Sequence, residues 1–136
     1  MTRGNETSEK PSIYLDANIL LEILLGRKNQ ESARRLVIEN YGSISISALT
    51  AHLVLYFGSS ILNIEDLHSF LGDYKILALD KDSFEWAFVN YKNKDFEDAL
   101  QLAVAIKNGQ TVFYTLDKAL YASYKNLTII SVQLLK

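Results

Sequence analysis

The residues whose types and spacing could do chemistry are carboxylates. Asp95 and Asp98 stand three apart in the run Asp95-Phe96-Glu97-Asp98-Ala99-Leu100-Gln101. That spacing puts both on one face of a helix. A helix advances about 100° per residue, so Glu97 is rotated away from them. From Ala99 to Ile106 only Gln101 is polar, the composition of a central, buried helix. Asp16 closes a short apolar run, and Asp117 lies two residues beyond Thr115 at the end of another. Carboxylates brought from three segments to one edge would repel one another unless a divalent cation neutralised them, and oxygen-only ligands suit Mg²⁺ or Mn²⁺. A hard cation with open positions can orient and deprotonate water for in-line attack on a phosphodiester. Each acid also has an ordinary use, Asp95 and Asp117 as helix N-caps and Asp98 as a first-turn acid.

The elements that must position these acids follow from periodicity and turn residues. Strands are predicted over 12–16, 43–47, 75–79, 111–115 and 127–131, and helices over 19–25, 31–40, 48–57, 64–71, 83–91 and 95–107. Strands separated by helices imply parallel crossovers, hence an α/β three-layer sandwich with about five mostly parallel strands. In such sheets ligands sit at the carboxyl ends of the strands, where Asp16 and Asp117 fall. Residues 1–10 read as a polar, disordered tail and 11–136 as a single domain.

Composition sets the outer limits. The chain has 136 residues, 49% of them hydrophobic, and a net charge of -2, which suits one compact domain and excludes gripping nucleic acid by net charge alone. It contains no cysteine, which excludes disulfides, thiolate metal sites and a Cys nucleophile. None of the 6 glycines falls in a dinucleotide or P-loop pattern. No apolar run approaches a membrane span and no secretory signal is evident, so a cytoplasmic protein without membrane contact is expected.

In that order the motifs resemble those of the PIN-domain family, and within it the VapC-type toxins of toxin–antitoxin pairs. Ile13-Tyr14-Leu15-Asp16-Ala17-Asn18-Ile19-Leu20 is similar to the family's opening strand, Asp95 to Gln101 to its acidic central helix, and Thr115-Leu116-Asp117 to its T-x-D. The resemblance implies a PIN-like domain and a metal-dependent endoribonuclease. Asp16, Asp98 and Asp117 would hold Mg²⁺ or Mn²⁺, with Asp95 completing the catalytic group. Asn18, Ser47 and Thr115 would brace the site. The implied partners are an RNA substrate, a small antitoxin and a second copy of the chain.

One position departs from the pattern. Ser47-Ala48-Leu49-Thr50-Ala51-His52-Leu53 fits the family's S-x-x-T-x-x-E frame, with Leu53 where the Glu belongs. A degenerate PIN module that binds RNA or a protein without cleaving is therefore the alternative. A phosphoacceptor receiver domain is a remoter rival, because Asp80 ends the third strand. Lys92 and Lys94, beside Asp95, are the candidate RNA contacts, whereas Arg27, Lys28, Arg34 and Arg35 read as a solvated face. His52 and the aromatic set Phe84, Trp86, Phe88 and Tyr91 read as packed residues, the aromatics at most a homodimer contact.

Overall fold

The computed structural model describes residues 11–136; the expected N-terminal tail lies outside them. Among these residues, five strands form one sheet: β1 (Ile13–Leu15), β2 (Ile44–Ser47), β3 (Lys75–Leu77), β4 (Val112–Thr115) and β5 (Ser131–Leu134). Their spatial order is β3-β2-β1-β4-β5, and every neighbouring pair is parallel. The chain thus builds outward from β1 in one direction, then returns to its other side. β1 and β4 therefore flank a switch point, where adjacent connections leave on opposite sides and open a crevice at the carboxyl ends.

Among the described residues, seven helices cover the sheet: α1 (Ala17–Leu24), α2 (Gln30–Glu39), α3 (Ala48–Gly58), α4 (Ile64–Leu71), α5 (Lys81–Asn90), α6 (Phe96–Lys107) and α7 (Lys118–Tyr124). Alternation along the strands separates two cores. Ile13, Leu15, Ile44 and Ile46 pack with α1 to α4 on one face. Tyr14, Phe113 and Val132 pack with α5 to α7 on the other, the Tyr14 and Phe113 rings stacked at 5.2 Å. The three layers expected from the sequence are present.

Two elements differ from expectation. The last strand begins at Ser131, not Leu127, because it pairs with β4 in the register Val112↔Ser131 to Thr115↔Leu134. That register buries Val132, while Ile129 stays 65% exposed. α7 was not foreseen. Asp117 starts it by accepting the Ala119 and Leu120 amides, and Leu120 and Tyr124 then fill the core.

Candidate functional site

β1 ends at Leu15, so Asp16 falls at the carboxyl edge, in extended conformation, as the N-cap position of α1. It is only 5% exposed. The Thr115 hydroxyl, at the end of the neighbouring β4, donates to its Oδ2 at 2.8 Å. The same Thr115 oxygen accepts the Asp117 backbone N–H at 3.0 Å. One hydroxyl therefore joins Asp16 to the segment that carries Asp117.

The other two acids arrive on α6. Asp95 is its N-cap, accepting the Glu97 amide at 3.0 Å, and Asp98 follows on the first turn, buried where the helix meets the sheet. Asn93, in the preceding loop, donates to Asp98 Oδ2 at 3.1 Å. Asp95 and Asp117 are thus caps and members of the acidic group at once. The ordinary and the chemical readings of these residues are compatible.

The like charges of these acids act on one another. Burial raises the Asp16 carboxyl to about 6; the Thr115 hydroxyl opposes the rise, and the negative charges of Asp117 and Glu97 add to it. Burial likewise raises Asp98 to about 7, opposed by Asn93 and reinforced by Asp95, Asp16 and Asp117. Desolvation and like charges both disfavour ionisation, so each carboxylate is under pressure to acquire a proton or a cation. Glu97, set aside by the helical-wheel argument, nonetheless adds its negative charge to the field on Asp16, and its own carboxyl is raised by burial and Asp95. The wheel compared it only with its neighbours on α6, and Asp16 approaches from the sheet.

Among the described residues, no three His, Asp or Glu side chains are drawn tightly enough together to form a ready-made metal grip. The donor chemistry nonetheless fits a hard cation. All donors are carboxylate oxygens, as Mg²⁺ and Mn²⁺ prefer. Asn93 occupies Oδ2 of Asp98 and the α7 amides occupy Oδ1 of Asp117, leaving the other oxygen of each without a hydrogen bond from the described residues.

Beneath the acids lies a polar cluster that sequence reasoning missed. Gln101, one turn beyond Asp98 and 2% exposed, offers Oε1 to the hydroxyls of Tyr14, Ser47 and Thr50, the last two at 3.3 Å. Ser47 also caps α3 by accepting the Thr50 amide. The cluster ties α6 to the ends of β1 and β2. The available signal was Gln101 itself, one polar residue in an otherwise apolar run.

The remaining candidates are placed as follows. Asn18 is exposed on the first turn of α1, and its side chain makes no hydrogen bond among the described residues. Lys92 and Lys94 are exposed just ahead of α6, and the Lys92 amide donates to Tyr124 Oη at 2.9 Å. Leu53 is half-buried on α3. His52 is exposed rather than packed, because it lies on the side of α3 turned from the sheet. Phe84, Phe88 and Tyr91 are also exposed, not core, since α5 buries Ala87 and half-buries Trp86 instead. Asp80 caps α5 in a reciprocal box with Ser83, the ordinary role of such a residue, and gives the receiver reading no support.

Comparisons with known proteins agree with this architecture. The chain resembles a toxin–antitoxin complex structure from Klebsiella pneumoniae at TM-score 0.72 and 20% identity, over 88% of this chain and 99% of that one. VapC20 of Mycobacterium tuberculosis, described as a sarcin-ricin loop cleaving toxin, gives 0.66 and 17% over 83% and 95%. FitAcB from Neisseria gonorrhoeae gives 0.64 and 19% over 88% and 95%. No curated protein matches the chain by sequence. The family model of the PIN domain matches residues 13–126, from β1 through the end of α7. On that span, which includes every acid of the cleft, the chain belongs to the PIN-domain family.

Proposed function

We propose that this PIN protein is a VapC-like toxin, a metal-dependent endoribonuclease that cuts RNA phosphodiester bonds. The observation that carries the reading is the placement of Asp16 and Asp117 at the carboxyl ends of β1 and β4, linked through the Thr115 hydroxyl, with Asp98 on the first turn of α6, where their like charges act on it. Bound Mg²⁺ or Mn²⁺ would supply charge neutralisation, polarisation of a phosphoryl oxygen and a more acidic water. Asp16, Asp98 and Asp117 would hold it. Asp95, at the crevice rim, would orient water, and Glu97 would supply the fourth carboxylate that Leu53 does not. Thr115 fixes Asp16, and Ser47 acts through Gln101 on the placement of α6; Asn18 would brace the rim. Lys92 and Lys94 would hold phosphates beside Asp95.

A small antitoxin and a second copy of the chain are the proposed partners, in the cytoplasm. Exposed Tyr56, Ile61 and Ile64 near the α3–α4 connection, and Phe88 and Val89 on α5, supply apolar surface for protein contacts. No described helix is long and apolar enough to cross a membrane. The second reading, a module that binds without cutting, rests on Leu53.

The test is cleavage of a structured RNA with Mn²⁺, with EDTA, and in Asp16→Asn. Loss of cutting in both controls is expected, because the amide keeps the shape but removes the charge a cation needs. Cutting that survives both would overturn the metal-nuclease reading, and metal binding without cutting would favour the second one.

A further inference from the structure

A cleft of about 720 Å³ opens beside Asp117, which forms part of its wall. Lys28, Lys118 and Lys136 line it, and Leu134 and Leu135 provide apolar surface. Each lysine stands on an anchored piece of backbone. Lys28 follows Gly26, whose φ of +62° ends α1. Glu22, buried at 8% exposure, accepts the Asn29 amide at 3.0 Å and lies 3.8 Å from Arg27, fixing that turn on both sides of Lys28. Lys118 is the first residue of α7, directly after Asp117. Lys136 follows Leu135, whose amide donates to the Thr115 carbonyl at 2.8 Å. Three fixed backbone points thus present ammonium groups around a trough whose wall includes Asp117 of the site.

We propose that this cleft is the track for a single-stranded RNA entering the acidic crevice, with Lys28, Lys118 and Lys136 on its phosphates and the leucines against ribose and base. The proposal rests on the ribonuclease reading and names where its substrate lies. The charge argument is direct: three cations and one acid in a chain of net charge -2 concentrate positive potential where a polyanion must pass. The apolar wall favours a strand with unpaired bases, since a duplex hides its base faces. It also reassigns Lys28, which sequence reasoning left on a solvated face, because the α1–α2 turn swings it to the strand ends.

The test is metal-free, so binding is measured apart from cutting. Fluorescence anisotropy of a labelled twelve-nucleotide oligouridylate is followed in EDTA from about 50 to 200 mM salt, where each phosphate contact to a single strand contributes about 0.7 to the log–log salt slope. Replacing Lys28, Lys118 and Lys136 together by Ala is expected to lower the slope by about 2 and weaken binding about 100-fold at 0.1 M salt. Arg34→Ala with Arg35→Ala, on exposed α2, is expected to change neither. All three lysines are exposed, and a melting curve matching the parent's confirms the fold. A triple variant that keeps the parent's slope overturns the proposal, as does displacement of the RNA by an equimolar twelve-residue polyglutamate, which would assign the cleft to acidic peptides. Cutting with Mn²⁺ is scored separately. Slope loss without any cutting by the parent leaves the track standing and removes the ribonuclease reading; cutting with an unaffected triple variant does the reverse.

Discussion

The Thr115 hydroxyl donates to Asp16 Oδ2 at 2.8 Å across the β1–β4 seam, and its oxygen accepts the Asp117 amide at 3.0 Å. Ninety-nine residues apart in sequence, Asp16 and Thr115 are brought together by a parallel register in which Leu15 pairs with Tyr114. The bond holds one oxygen of a buried carboxylate at the crevice and favours its charged form.

Thr115→Val keeps the shape and removes both interactions. A hydrogen bond to a charged group contributes about 1.5–3 kcal/mol, so a loss of about 2 kcal/mol in urea unfolding is expected near neutral pH. The Asp16 carboxyl should also rise further, since the hydroxyl is the largest factor opposing its burial. Carboxyl NMR titration in metal-free protein checks this. An unchanged Asp16 titration would contradict it.

The raised acids predict a pH dependence of stability. Asp16 at about 6 and Asp98 at about 7 both lie above their ordinary 3.8. Between those limits the folded chain binds more protons than the unfolded one, so this contribution is fully present below about pH 4 and is lost as pH rises through 6 and 7. Asp80, held below the usual range mainly by the Ser83 amide, has the opposite sign, but its window lies below its ordinary 3.8. In EDTA the Tm should therefore fall from pH 5 to about pH 7.5, by several degrees for a domain of this size. Asp98→Asn should flatten the curve. A metal-free Tm that rises over this range would refute the electrostatic account.

How much of this was legible in the sequence depends on whether the signal was local. Asp16, Asp98 and Asp117 could be placed because each ends or begins an element with a clear periodic pattern. The three layers followed from the alternation of those elements. The effect of Glu97 on Asp16 was not visible because a helical wheel compares residues of one helix and knows nothing of the sheet beside it. Gln101 was visible as a polar interruption, but its three hydroxyl partners come from β1, β2 and α3, and no local rule assembles them. β5 was shifted because the Leu127 to Ile130 run is as apolar as the true strand, and only pairing with β4 selects the register. Phe88 and Tyr91 were likewise read as core because their spacing is helical, but they meet the ring of Phe96 at the start of α6 and stay exposed.

Gln101→Leu tests the polar cluster. It leaves the hydroxyls of Ser47, Thr50 and Tyr14 without their shared acceptor inside the fold, at about 1–3 kcal/mol for a stranded buried group. A gain partly offsets this, because Gln101 Nε2 is itself buried without a partner among the described residues. The expected net loss is about 2 kcal/mol by denaturant unfolding. Tyr14→Phe, which removes one of the three donors, should cost less. Should Gln101→Leu prove stabilising, the cluster would not be what fixes α6 to the strand ends.

Leu53→Glu addresses the departure from the family pattern. Ser47, the N-cap of α3, and Thr50 on its first turn point toward Gln101, and Leu53, one turn further, continues that row. Affinity in hard-cation sites rises with ligand charge and number, so an acid there should tighten Mn²⁺ binding and increase RNA cutting. The opposing cost is desolvation, severe for an unpaired charge in a core. Leu53 is half-buried rather than fully buried, so the variant is expected to fold, with a metal-free Tm somewhat below the parent's and a larger Mn²⁺-induced rise. Glu97→Gln provides the companion measurement. If Glu97 supplies the fourth charge, its loss should weaken Mn²⁺ binding in the parent and less so in Leu53→Glu, where two acids share the role. Calorimetric titration of the two single variants and the double variant reads this coupling directly. A folded Leu53→Glu protein that binds Mn²⁺ no more tightly than the parent would show that position 53 does not face the crevice.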